Sequence, residues 1–64
     1  MEPKHTNVIT YKDGRQFRHE FLNADDALDH ALDAIAAEEN VMSIECFEGD
    51  AKEPVSTLWK DRYH

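Results

Sequence analysis

The clearest pattern of apolar and polar positions lies between residues 23 and 40. At about 100° of rotation per residue, Leu28 and Ile35 fall on one side of a helix with further leucine and alanine residues, and the aspartates fall on the flank and the opposite side. This periodicity predicts an amphipathic helix. Asn23 is a typical N-cap residue, and Asn40 can end the helix by adopting the left-handed C′ conformation.

Two segments with strand-like alternation precede the helix, at residues 6–11 and 16–22. The polar turn between them contains Gly14, which can adopt the left-handed conformation of a bulged three-residue loop. That loop places Ile9 opposite Phe17 and gathers apolar side chains of both strands on one face, whereas a two-residue loop shifts the register by one residue. The pattern therefore favours a β-hairpin with the bulged loop.

Two further strands are predicted after the helix. Residues 41–47 alternate so that Met42 and Ile44 point to the same, inward side. Residues 55–61 form the last strand, with Trp59 predicted to point inward. A polar, turn-prone loop joins these two strands.

The predicted order of elements is ββαββ. It indicates an α+β fold with two layers, in which one amphipathic helix packs on a four-stranded, mostly antiparallel sheet. Residues 1–5 are predicted to be a flexible N-terminal leader, and residues 6–64 a single domain. The expected core contains Ile9, Phe17, Phe21, Leu28, Leu32, Ile35, Met42, Ile44 and Trp59.

This architecture leaves one face of the sheet without a covering layer. An antiparallel sheet can expose such a face to water as ordinary surface. A larger apolar patch there would instead mark the docking site of a partner or of a second copy of the chain. The residues assigned to this open face are Val8, Leu22, Val41 and Phe47, with Arg18, Glu20 and Glu45.

The chain is strongly acidic. It contains 14 Asp and Glu residues against 7 Lys and Arg residues, which gives a formal net charge of −7 at pH 7. This balance argues against direct binding to nucleic acid or to an anionic membrane, and it favours basic partners.

The single cysteine, Cys46, excludes an intramolecular disulfide and suits a reducing cytoplasm. The N-terminus has no apolar run typical of a signal peptide, and no stretch approaches the ~20 apolar residues of a membrane span. We therefore expect a cytoplasmic location.

No combination of residues in the sequence indicates catalysis, a metal site or a cofactor. The histidines do not stand at zinc-binding spacings. Cys46 is predicted to point inward, where cysteines are usually inert packing residues. His30 is interpreted as a local charge partner of Asp26 and Asp33. The sequence therefore predicts a protein that is not an enzyme and has no cofactor.

Asp25, Asp29 and Asp33 repeat every four residues along the predicted helix. Like charges at this spacing repel by about 0.2 to 0.5 kcal/mol per pair, and aspartate is a poor helix former. One interpretation is an ordinary solvated surface. The other is an acidic surface used for binding, since its carboxylates lie about 6 Å apart along the axis, a spacing comparable with that of phosphates along a nucleic-acid strand.

The helix and the overall plan resemble two known groups of proteins. The segment ADDAL at residues 24–28, continued through Ala34 and Ile35 and preceded by a hairpin, resembles the helix of small HicB-type antitoxins over less than a third of the chain. The size, the acidity and the single helix on a sheet are similar to those of several phage anti-CRISPR proteins. These resemblances imply an inhibitor of another protein, and no functional residue is carried over from either group.

The sequence predicts a small, acidic, non-enzymatic protein-binding module. It would act as an inhibitor or decoy that presents a negative surface to a basic, nucleic-acid-handling protein, with Phe47 or Trp59 as the apolar anchor. The alternative is a structural homo-oligomer, such as a homodimer, or a complex subunit that associates through the open sheet face. The candidate protein-binding residues are Asp25, Asp26, Asp29, Asp33, Glu45, Phe47, Glu48, Asp50 and Trp59.

Overall fold

A computed structural model describes residues 4–62 of the chain. Residues 1–3, which belong to the predicted leader, and residues 63 and 64 lie outside the described residues. The elements are β1 (His5–Tyr11), β2 (Gln16–Phe21), α1 (Ala24–Ala37), β3 (Val41–Glu48), β4 (Ser56–Trp59) and a short 3₁₀ helix (Lys60–Arg62). The strands form one antiparallel sheet in the order β2-β1-β3-β4, which confirms the predicted α+β fold.

The first two strands form the predicted hairpin. Ile9 pairs with Phe17, and the backbone N–H of Tyr11 donates to the carbonyl oxygen of Arg15 at 2.8 Å. Gly14 has a φ of 95°, in the positive range that the bulged loop requires. The register argued from the apolar pattern is therefore confirmed.

A β-bulge between β1 and β3 changes which side chain of β3 enters the core. Thr10 pairs with Ser43. The next pair is Tyr11 with Val41, which leaves Met42 as the extra residue of β3. Val41 is fully buried and Met42 is exposed. The predictions that Met42 belongs to the core and that Val41 lies on the open face are wrong.

The alternation of β4 is the reverse of the predicted one. Ile44 pairs with Leu58, and Ser43 pairs with Trp59. Because paired residues share one face of a sheet, Leu58 follows Ile44 toward the helix and Trp59 lies on the open face, where it is 47 % exposed. The prediction that Trp59 belongs to the core is wrong. Apolar residues stand at both odd and even positions of this short segment. The sequence pattern therefore does not show which of them face the helix.

Helix α1 turns its alanines toward the sheet. Ala31 and Ile35 are completely buried, and Ala27 and Ala34 are nearly so. Leu28, in contrast, is 52 % exposed, and its assignment to the core is wrong. Small side chains at the contact let the helix backbone approach the sheet closely, so the helix is rotated away from the orientation that would bury Leu28.

The core lies between α1 and the central strands β1 and β3. Phe17 is exposed because β2 is an edge strand, and its ring packs edge-on against Tyr11 with the centroids 5.5 Å apart. The prediction that Phe17 is a core residue is therefore wrong, whereas Phe21 and Leu32 are half-buried at the margin. The buried cluster consists of Ile9, Ala31, Ala34, Ile35, Val41 and Ile44, with Tyr11, Cys46 and Leu58 packed against it.

The two ends of α1 differ in how well they match the sequence. The side chain of Asn23 accepts a hydrogen bond from the backbone N–H of Asp25 at 2.7 Å, as expected of an N-cap. At the other end, Glu38 is the C-cap in an extended conformation, and no residue other than glycine within residues 4–62 has a positive φ. Asn40 therefore does not end the helix in the left-handed conformation, and its carbonyl oxygen accepts from the backbone N–H of Lys12.

Candidate protein-binding surfaces

Four aspartates on α1 form the acidic helix face, which consists of Asp25, Asp26, Asp29 and Asp33. All four side chains are exposed. None of them forms an ion pair with another residue in the range 4–62. Their charge is therefore directed at solvent and is not neutralised by the described part of the chain.

The ion pairs of the described residues lie in and beside the β1–β2 hairpin. Lys4 Nζ is 2.8 Å from Glu20 Oε2, and Arg15 Nε is 2.7 Å from Asp13 Oδ2. The hydrogen bond from Lys4 lowers the pKa of Glu20. The backbone N–H of Arg15 and its guanidinium lower the pKa of Asp13. Lys4 and Arg15 are therefore paired in or beside the hairpin, away from the acidic helix face.

The positive and negative side chains are separated along the chain. Between Arg18 and Lys52 the sequence contains no lysine or arginine. These two residues and Lys4 line a polar cleft of about 340 Å³ on the open face of the sheet, together with Asp50 from the β3–β4 loop. The helix layer is therefore acidic, whereas the cleft on the opposite layer contains cations.

His30 packs against the sheet. Its ring centroid lies 4.6 Å from that of His19 and 5.0 Å from that of Phe21. Burial lowers the pKa of His30, and the neighbouring His19 lowers it further. His30 forms no ion pair within residues 4–62. Glu38 and Asp33 raise its pKa, but burial and His19 outweigh them. The interpretation of His30 as a charge partner therefore holds only for a weak interaction with Asp33, and Asp26 does not contribute.

Asn7 is a polar residue buried beneath the helix, with only 1 % of its surface exposed. Its Nδ2 donates to the carbonyl oxygen of Ala27 at 2.7 Å and lies 3.2 Å from Nδ1 of His30. The Ala27 carbonyl can only accept, so it fixes the amide with its nitrogen toward the helix, and His30 accepts at Nδ1. The other amide atom, Asn7 Oδ1, is buried and has no hydrogen-bond partner among the described residues.

A groove of about 220 Å³ lies between the N-terminal half of α1 and the strands β3 and β4. We call it the α1–β4 groove. Its apolar walls include Leu28 and Val55, which are 52 % and 57 % exposed. Its deeper lining includes Asn7 and the half-buried Cys46. The side chains that the helix rotation leaves outside the core are thus gathered around a concave surface.

The predicted site residues are divided between the two faces of the sheet. Asp25 and Glu48 line the α1–β4 groove. Phe47 pairs with Thr6 and lines both this groove and the cleft on the open face. Glu45 and Trp59 lie on the open face, because Glu45 pairs across from Val8 and Thr57 and Trp59 pairs with Ser43. The structure therefore brings Asp25 and Glu48 together, with Phe47 at the edge between the groove and the open face. It places Trp59 on the opposite side from the acidic helix face.

The open face has a polar centre. Thr6, Thr10 and Ser43 are buried although no helix covers them, and Gln16 Nε2 donates to Thr10 Oγ1 at 3.1 Å across this face. Leu22 lies just beyond the end of β2, one residue past the strand, and is largely exposed. Because Val41 lies in the core instead, this face is less apolar than predicted.

Sequence reasoning did not identify Asn7 or the groove. The available signal was the position of Asn7, two residues before Ile9 on the inward side of its strand, where a polar residue needs a buried partner. The groove itself gave no signal, because it depends on the rotation of α1.

Other kinds of site were also considered within residues 4–62. No three His, Cys, Asp or Glu side chains in this range are grouped so that they could hold a metal ion. No helix in the same range combines the length and the apolar character needed to cross a membrane. Comparisons with family models, curated proteins and solved structures found no match to the chain.

Proposed function

We propose that the chain is a small, acidic, non-enzymatic protein-binding module that presents the acidic helix face to a basic protein. The observation that supports this most directly is that all four aspartates are exposed and form no ion pair within residues 4–62. Exposed carboxylates of one sign steer a basic partner toward the surface. A lysine or arginine of the partner can pair with these carboxylates directly, because no cation within residues 4–62 is paired with them.

The arrangement of the carboxylates favours a partner that handles nucleic acid. Asp25, Asp29 and Asp33 are one helical turn apart, about 6 Å along the axis. A protein that binds nucleic acid offers lysine and arginine side chains that contact successive phosphates. The acidic helix face can occupy such a row of cations, so the module acts as an inhibitor or decoy.

The test compares two variants that change the net charge equally. Asp29→Lys with Asp33→Lys reverses the centre of the acidic helix face, and Glu53→Lys with Asp61→Lys reverses exposed acidic residues outside it. Each immobilised protein is incubated with a nuclease-treated lysate of the organism that encodes it. The captured proteins are identified by mass spectrometry.

We expect the unaltered chain and the control variant to capture the same basic protein, and the helix variant to lose it. Elution by increasing salt is expected as well, because exposed ion pairs are screened. Capture that survives reversal at Asp29 and Asp33, or that is lost equally in the control variant, would contradict the proposal.

A second candidate function is a structural homo-oligomer or complex subunit that associates through the open sheet face. Trp59 favours it, because a tryptophan that is 47 % exposed on an uncovered sheet is typical of interface anchors. Size-exclusion chromatography with light scattering separates the two functions. A salt-resistant dimer that Phe47→Asp disrupts and Leu22→Asp does not would support the oligomer, whereas a monomer would exclude the homo-oligomer.

A further inference from the structure

We propose that the α1–β4 groove binds one aromatic side chain with a hydrogen-bond donor, a tryptophan or tyrosine, from a segment of the partner in which that residue lies beside lysine or arginine. The basic character of the partner rests on the proposed function. The anchoring side chain is the additional inference.

The size and walls of the groove set the class of occupant. A volume of about 220 Å³ is smaller than the roughly 300 to 1,000 Å³ of pockets for drug-sized ligands. It suits one large side chain. The exposed surfaces of Leu28 and Val55 provide apolar contact for such a group, and aromatic anchors in pockets of this kind dominate the affinity of many interfaces.

Asn7 selects an anchor that can donate a hydrogen bond. Its Nδ2 is held by the Ala27 carbonyl and lies beside His30, whereas its Oδ1 is buried without a partner among the described residues. Asn7 and Ala27 line the groove and His30 does not. We infer that Oδ1, the amide arm that does not contact His30, is the arm nearer the groove. The indole N–H of tryptophan or the hydroxyl of tyrosine can satisfy this oxygen, and phenylalanine cannot.

Two carboxylates determine the charge beside the anchor. Asp25 and Glu48 both line the groove, both are exposed, and neither forms an ion pair within residues 4–62. A lysine or arginine next to the aromatic residue can therefore pair with them. Because Asp25 also belongs to the acidic helix face, the same partner segment can continue along the helix.

The test uses three short peptides with blocked ends: Lys-Trp-Lys, Lys-Phe-Lys and Glu-Trp-Glu. The readouts are the rate at which iodoacetamide alkylates Cys46, the only cysteine of the chain, and the NMR shift of the Asn7 side-chain amide. We expect Lys-Trp-Lys to slow alkylation and shift the amide. We also expect it to bind about two- to tenfold more tightly than Lys-Phe-Lys, the ratio that one hydrogen bond contributes, and Glu-Trp-Glu to bind least.

A pair of uncharged substitutions localises the binding. Leu28→Gln alters a wall of the groove, and Leu22→Gln alters a comparably exposed leucine outside it. We expect only Leu28→Gln to weaken Lys-Trp-Lys binding. Equal binding of the tryptophan and phenylalanine peptides, or no effect of Leu28→Gln, would overturn the inference.

The failure of this inference is distinguishable from failure of the proposed function. If lysine peptides bind with equal strength to the Leu28 variant but not to the Asp29 and Asp33 double variant, the groove is refuted and the acidic helix face stands. If Lys-Trp-Lys protects Cys46 both in the unaltered chain and in the Asp29 and Asp33 double variant, and Leu28→Gln abolishes the protection, the groove stands. Lysate capture that survives the double reversal would then refute the acidic helix face alone.

Discussion

The ammonium group of Lys60 donates a hydrogen bond to the backbone carbonyl oxygen of Ile35, in the last turn of α1. The last carbonyl groups of a helix lack partners within it and form the negative end of its dipole. The last turn of α1 contains no basic residue, and Glu38 follows it directly. Lys60 therefore brings to the helix end the positive charge that the helix lacks, and it ties the C-terminal segment to the helix.

Lys60→Met should lower the free energy of unfolding by about 1 to 2 kcal/mol, because it keeps the apolar stem and removes both the donor and the charge. Urea denaturation measures the change. Lys52→Met is the matched control, since Lys52 is exposed in the β3–β4 loop, and it should change stability by less than about 0.5 kcal/mol. Equal stability of the two variants would show that the contact with Ile35 contributes nothing.

The burial of His30 beside His19 predicts a dependence of stability on pH. Burial and His19 hold the pKa of His30 below its unfolded value of 6.5. As the pH falls below about 6.5, the unfolded chain therefore binds a proton that the folded chain does not. The free energy of unfolding should then decrease, by at most about 1.4 kcal/mol per pH unit, and level off below the folded pKa.

Urea denaturation between pH 7.5 and pH 5.5 tests this dependence. His30→Gln keeps an acceptor for Asn7 and does not titrate, so this variant should show a flatter profile. The pKa values of Glu20 and Asp13 are lowered from 4.5 and 3.8, so their stabilising contribution is present above those values and is lost only at lower pH. An unchanged slope in the glutamine variant would rule out His30 as the source.

The sequence pattern predicts the elements of this fold better than the side on which each residue lies. Ile9, Ile35 and Ile44 are identified correctly because each belongs to a segment whose apolar period matches that of its strand or helix. Val41 is not, because a bulge arises from the register between two strands and leaves no signal within either one. Whether a side chain near a bulge is buried therefore depends on the neighbouring strand, and the pattern of its own strand contains no information about that neighbour.

The two candidate surfaces also differ in how far the sequence predicts them. The exposure of Asp29 and Asp33 follows from helical periodicity alone, since a charged side chain on the polar side of a helix stays in water. The α1–β4 groove depends on how far the alanines let the helix rotate, which leaves Leu28 as a wall. It also depends on the hydrogen bond of Asn7 across twenty residues of sequence, which periodicity does not reveal.

Substitution of neighbouring residues of β3 tests the bulge. Val41→Ala should lower the free energy of unfolding by about 1 to 3 kcal/mol, because Val41 is fully buried in the core cluster. Met42→Ala should cost less than about 0.5 kcal/mol, because Met42 is exposed. A larger loss of stability in Met42→Ala than in Val41→Ala would indicate that β3 alternates regularly, without a bulge.

The two glycines with positive φ should differ in their tolerance of a side chain. Gly14 has a φ of 95° and Gly49 has a φ of 57°, and a Cβ atom at either position meets no other atom within 4 Å. The value at Gly49 lies inside the left-handed region open to other residues, at about 50° to 70°, and the value at Gly14 lies outside it. Gly14→Ala should therefore destabilise the protein by about 1 to 3 kcal/mol, and Gly49→Ala by less. Equal losses, measured by thermal unfolding, would mean that the hairpin loop relaxes to accept the side chain.

Asp29 is the position where the acidic helix face and the stability of the helix are in conflict. It lies beyond the first turn, so the helix dipole does not favour its charge, and it stands four residues from both Asp25 and Asp33. Asp29→Ala should raise the free energy of unfolding by about 0.5 to 1 kcal/mol. Asp25→Ala is the control and should change it by less than about 0.5 kcal/mol, because the favourable charge of the first turn offsets the repulsion.

Urea denaturation and partner capture, measured on the same two variants, decide what the Asp29 carboxylate does. Greater stability with weaker capture would mean that the carboxylate serves binding, because folding is improved without it. Lower stability would mean that the carboxylate supports the fold. In that case the loss of capture on charge reversal would be explained by damage to the helix, and the acidic helix face would no longer be needed to account for it.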